Sequence, residues 1–112
     1  MIKVSESGLQ ERLIEIYGDD ASILEDRKMI FLRALEGFAA QFGGDREVVI
    51  SRAPGRINLL GNHIDHRGGF VNYMAINRDT LMVASARQDD TVEMRNTNPG
   101  RFPPRRFEIG TP

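Results

Sequence analysis

A chain of 112 residues, 40% hydrophobic and 28% charged, fits one modest soluble core and excludes a disordered tail. Its formal charge of −1 gives no electrostatic basis for nucleic acid or an anionic membrane as partner. Without cysteine there is neither a disulfide framework nor a thiolate metal site. No apolar run serves as a signal peptide or spans a bilayer, so the expected setting is cytoplasmic.

Two helices come first. Leu9, Leu13, Ile16 and Tyr17 recur at helical spacing and Gly18 ends the run. Asp20 or Ser22 then caps a longer helix, in which Ile23, Met29, Ile30, Ala34, Leu35, Phe38, Ala39 and Phe42 form an apolar stripe. Gly43-Gly44 stops it. On the same helix Phe31, Leu35, Phe38 and Phe42 read as core packing, not as a partner-binding groove. From Glu47 the pattern turns β-branched. Glu47–Ser51 predicts a strand, and Ile57–Leu60 continues the sheet after a Pro54-Gly55 turn. Phe70–Ile76, Thr80–Ala86 and Val92–Met94 predict three further strands, with a hairpin at Asp89-Asp90 between the last two. Asn98–Pro104 reads as a loop and Arg106–Ile109 as a final edge strand. The expected class is α+β: two helices followed by a mostly antiparallel or mixed sheet.

The segment RAPGRINLLGNHIDHRGG, from Arg52 to Gly69, departs from routine secondary structure. Gly55, Gly61, Gly68 and Gly69 remove side chains where the backbone turns tightly or approaches a ligand. Among them stand Arg56, Asn58, Asn62, His63, Asp65, His66 and Arg67. Such groups must be satisfied by one another, by water or by a polar ligand. Sugar hydroxyls both donate and accept, so a carboxylate such as Asp65 beside the mixed groups of Asn62 and His63 suits a carbohydrate. A nearby arginine suits a phosphate, whose charge its fixed fork complements. On composition alone a plain polar turn is the more ordinary reading of such a loop.

The ordered string Ala53-Pro54-Gly55-Arg56-Ile57-Asn58-Leu59-Leu60-Gly61-Asn62-His63-Ile64-Asp65 closely resembles the galactokinase signature A-P-G-R-x-N-[LIV]-[LIV]-G-E-H-x-D-Y. Helices precede that motif in galactokinases and a strand like GGFVNYMAI, here Gly68 to Ile76, follows it, so the resemblance covers roughly Gly18 to Met94. It implies the galactokinase branch of the GHMP kinases (galactose, homoserine, mevalonate and phosphomevalonate kinases), with residues 1–112 forming the first part of the N-terminal domain. By that resemblance Arg56 is the catalytic arginine beside the reacting hydroxyl and the transferred phosphate. Asn62, His63 and Asp65 bind sugar hydroxyls, and Asn58 braces the loop. ATP and Mg²⁺ are implied as co-substrate and cofactor, and a small-molecule sugar as ligand. The family's P-x-x-x-G-L-x-S-S segment and its proposed general-base aspartate are missing from these residues, as is any G-x-x-x-x-G-K-[ST] loop. The expectation is therefore a fragment, inactive alone, that self-associates to cover an incomplete face.

Two positions depart from the signature: Asn62 replaces the family glutamate and His66 the family tyrosine. Like charges about 4 Å apart repel by about 4 kcal/mol at an effective dielectric of roughly 20, enough for a glutamate to exclude a sugar carboxylate. Asparagine removes that repulsion. The loop GNHIDHRGG is also similar to the galacturonokinase version, G-A-H-I-D-H-Q-G-G, which keeps a hexuronate as an alternative substrate. A non-catalytic sugar-sensing homologue, a metal hydrolase using His63, Asp65 and His66, and a bare interaction domain are the remaining alternatives.

Overall fold

The computed structural model describes residues 6–61 and 64–110, and the chain divides into two compact units. One comprises Met1–Ile50 with Val83–Pro112, the other Ser51–Met82. The fold is α+β, as expected: two helices and then strands paired in two-stranded sheets.

In the first unit α1 (Glu6–Tyr17) packs on α2 (Ala21–Phe42). The joint between them is chemically local. Gly18 takes φ 82° and its N–H donates to the Ile14 carbonyl at 2.9 Å, closing α1 in the left-handed region that suits glycine. Asp20, not Ser22, caps α2: its carboxylate accepts from the Ser22 and Ile23 N–H groups at 2.9 and 3.1 Å. Gly43, at φ 92°, ends α2 by donating to the Ala39 carbonyl. Leu9 and Leu13 of α1, with Leu24 and Phe31 of α2, are the buried apolar core. Arg27 lies on the same α2 stripe and is buried too, its guanidinium 2.6 Å from Asp26 and 5.7 Å from the Tyr17 ring centroid. Leu35, Phe38 and Phe42 are half-buried, the two phenylalanine rings tilted with centroids 5.0 Å apart.

Two strands of the same unit, β3 (Thr91–Met94) and β4 (Arg105–Glu108), pair antiparallel with Thr91 opposite Glu108 and Met94 opposite Arg105. The expected Asp89-Asp90 hairpin is corrected here: β3 takes β4 as partner, across the Asn98–Phe102 turn. Asp89 instead holds the entry to β3. It accepts from Arg87 Nε and Nη2 at 2.8 and 2.7 Å and from the Thr91 N–H at 3.2 Å. The fork of Arg87 lowers the Asp89 carboxyl to about 2. Hydrogen bonding from Arg95 likewise holds the Glu93 carboxyl below its ordinary value.

The second unit is a ribbon. The paired strands are β1 (Val49–Leu60) and β2 (Asn72–Ala84). Gly55 lies against Ile76 and Arg78, and Gly61 against Phe70 and Val71, so β2 descends as β1 climbs. Both strands are longer than expected. The predicted Pro54-Gly55 turn is strand interior, and Phe70–Ile76 and Thr80–Ala86 merge into one strand. Gly55 avoids the positive φ that a type II Pro-Gly turn demands. A Cβ there would meet the Arg78 carbonyl oxygen at 3.0 Å and Ile76 Cγ1 at 3.1 Å, so the glycine serves close strand approach. In β2 the polar break at Asn77-Arg78-Asp79 is absorbed because Asp79 pairs across the ribbon with Arg52 at 3.1 Å.

Candidate functional site

Alternation along β1 sends Arg52, Arg56 and Asn58 to one face of the ribbon, where Asp79 of β2 pairs with Arg52 and the Tyr73 ring meets Arg56. The two arginines are held differently. Arg52 is engaged by the Asp79 carboxylate, whose side chain is only 4% exposed. Arg56 is exposed, its guanidinium carbon 4.3 Å from the centroid of the Tyr73 ring. Among the described residues no hydrogen bond or ion pair occupies its N–H groups.

Beyond Arg56 the chain is shaped by backbone demands. The Asn58 side-chain amide donates to the Gly61 carbonyl, bracing the exit from β1 as expected. Gly61 takes φ 78°, and a Cβ there would stand 2.5 Å from the Phe70 carbonyl oxygen and 3.2 Å from Val71 Cα. Only a glycine lets the ribbon close at that point. Farther round, the Ile64 carbonyl accepts from the Arg67 and Gly69 N–H groups at 3.1 and 2.9 Å, wrapping a short 3₁₀ turn over Asp65–Arg67. Any side chain at Gly69 would strike Ile64 at 2.9 Å.

The structure thus places Arg56 on the polar face of β1 and Asp65 at the first position of the 3₁₀ turn. Asn62 and His63 lie outside the described residues, as does the Asp65 side chain. The metal-ligand alternative turns on His63 and Asp65 as well. Sequence reasoning missed Tyr73, Arg52 and Asp79. Their signal is period-two alternation, visible once Pro54-Gly55 is taken as strand interior. A shallow recess among Arg46, Glu47, Val49, Ala84, Ser85 and Ala86 contains none of the motif residues.

The galactokinase galactose-binding signature matches residues 36–86, which take in both ribbon strands and the loop joining them. The chain belongs to the galactokinase family. It carries the family's N-terminal segment and is 36% identical to a galactokinase of Homo sapiens over 83 residues, 74% of this chain and 21% of that protein. A galactokinase of Dictyostelium discoideum is 28% identical over 99 residues, 87% of this chain and 20% of the relative. One of Chloroflexus aurantiacus is 41% identical over 66 residues, 59% of this chain and 17% of the relative. The chain therefore spans about a fifth of the length of the human relative, at 21%. No solved structure matches it. No helix among the described residues is long and apolar enough to cross a membrane.

Proposed function

We propose that this galactokinase-family chain is the sugar-binding part of a cytoplasmic kinase that transfers a phosphoryl group from ATP to the anomeric hydroxyl of galactose. The observation that carries the reading is Arg56, set within the signature on a strand face, with no hydrogen-bond or ion-pair partner among the described residues. In this reading Arg56 is the catalytic residue, aimed at charge on the transferred phosphoryl oxygens, and Asn62, His63 and Asp65 bind the sugar hydroxyls. Phosphoryl transfer depends chiefly on positioning and electrostatic stabilisation, so a guanidinium with no carboxylate partner among the described residues suits the task.

ATP and Mg²⁺ are assigned no residue of this segment in the proposal. The chain has no glycine-rich loop ending in Lys-Ser or Lys-Thr. Among the described residues no group of three His, Cys, Asp or Glu side chains is placed to hold a metal. Both belong, in the proposal, to the remainder of a longer kinase, and the 112-residue segment is inactive alone. The relatives' name supports galactose over a hexuronate as substrate. Steady-state phosphorylation of galactose and galacturonate by the kinase carrying this segment tests the reading. We expect galactose to be preferred, whereas a preference for galacturonate overturns that choice and assigns the Asn62 departure to a uronate. Replacing Arg56 by alanine lowers kcat by roughly two to three orders of magnitude if the guanidinium meets the phosphoryl group. An unchanged kcat removes Arg56 from the chemistry.

A further inference from the structure

We infer that Tyr73 is the positioning residue for the Arg56 guanidinium, an inference that rests on the phosphoryl-contact reading of Arg56. The guanidinium carbon is 4.3 Å from the ring centroid, well inside the range of about 6 Å over which an aromatic face attracts a cation. An exposed arginine without such a contact spreads over many rotamers, and only a fraction of them aim its fork in one direction.

The chemistry of the contact matters as much as its distance. Arg52 and Arg56 lie on the same face of β1, yet Arg52 is held by the Asp79 carboxylate and Arg56 by a ring. A carboxylate partner fills the fork and offsets its charge. A ring orients the guanidinium through its π-face, contributes no opposite charge and leaves the N–H donors for phosphoryl oxygens. The pairing also depends on register. Arg52–Asp79 ties β1 to β2 on that face, and a slip of one residue would carry Tyr73 to the opposite face. Gly55, next to Arg56, lets β2 come close enough for the ring to reach, since a Cβ there would stand 3.0 Å from the Arg78 carbonyl oxygen. The tyrosine hydroxyl has no part in this contact.

The test is a double-mutant cycle in the kinase carrying this segment, joined to a spectroscopic readout. Tyr73→Leu, which keeps apolar bulk but removes the ring, lowers kcat by about tenfold with less than about a twofold change in sugar KM. Tyr73→Phe restores kcat to within about twofold, because the ring is the working part. In the Arg56→Ala background Tyr73→Leu has no further effect on kcat. The NMR signals of the Arg56 δ-methylene protons, shifted upfield by the ring current, return to ordinary positions in Tyr73→Leu but not in Tyr73→Phe. A large loss from Arg56→Ala with an undiminished Tyr73→Leu effect in that background overturns the positioning role alone. So do wild-type shifts that show no ring current. An unchanged kcat in Arg56→Ala overturns the phosphoryl-contact reading and this inference with it.

Discussion

Single positions in this chain are decided by three different forces. At Gly61 the force is steric: φ of 78° and a carbonyl oxygen 2.5 Å from where Cβ would stand exclude every other residue. Gly61→Ala should cost more than about 1–2 kcal/mol, read as a lower chemical-denaturation midpoint at unchanged slope. At Asn58 the force is a single hydrogen bond to the Gly61 carbonyl. Its loss in Asn58→Ala should cost about 1 kcal/mol and raise amide exchange around the loop, leaving the helices untouched. At Asp89 the force is electrostatic. The Arg87 fork holds the carboxyl at about 2, below the ordinary value of 3.8. A depressed carboxyl contributes stability above its ordinary range and loses it as pH falls towards the folded value. That contribution should fade between about pH 4 and 2. NMR titration should place the Asp89 midpoint near 2 in the native chain, and Arg87→Ala should return it to the ordinary carboxylate range.

Among the elements, those closed by neighbouring residues match the sequence reading and those closed by distant ones do not. The helices end where Gly18 and Gly43 allow positive φ, and α2 starts where Asp20 offers its carboxylate. Each of these signals acts within four residues. Removing the Asp20 cap should lower stability by about 1 kcal/mol, seen in thermal unfolding followed at a helix-sensitive wavelength. The strands behave otherwise. Pro54-Gly55 has the composition of a turn, but strand interior is the outcome because the missing side chain of Gly55 is used by Ile76 and Arg78. Asn77-Arg78-Asp79 has the composition of a break, and Arg52 cancels it. Asp89-Asp90 suggests a hairpin, while Arg105–Glu108 supplies the partner β3 takes. Of the candidate site, the motif and the brace role of Asn58 were legible in the sequence. The ring beneath Arg56 was not, since nothing near Tyr73 in the chain points to an arginine on another strand.

For the molecule as a whole, the side of the ribbon opposite Arg52 and Arg56 leaves large apolar side chains exposed. Ile57, Leu59, Met74 and Met82 lie opposite the arginine face and are 46%, 56%, 48% and 54% exposed. Exposed apolar side chains of this size favour docking or association. The isolated chain should therefore self-associate in a concentration-dependent way by sedimentation velocity, and Leu59→Lys should shift it towards monomer. A native chain that stays monomeric at high concentration contradicts this. The same face suits the proposal that the segment works within a longer kinase, where other parts of that polypeptide cover it.

The sequence by itself determined the helix pair, its glycine stops, the α+β class and family membership, because each depends on residue types a few positions apart or on one ordered motif. The tertiary structure alone decided that two apparent breaks are strand, that β3 pairs with β4, and that Arg56 stands on a ring while Arg52 stands on a carboxylate. Those outcomes come from strand pairing, which brings together residues far apart in the chain and can overrule the local preference of either partner.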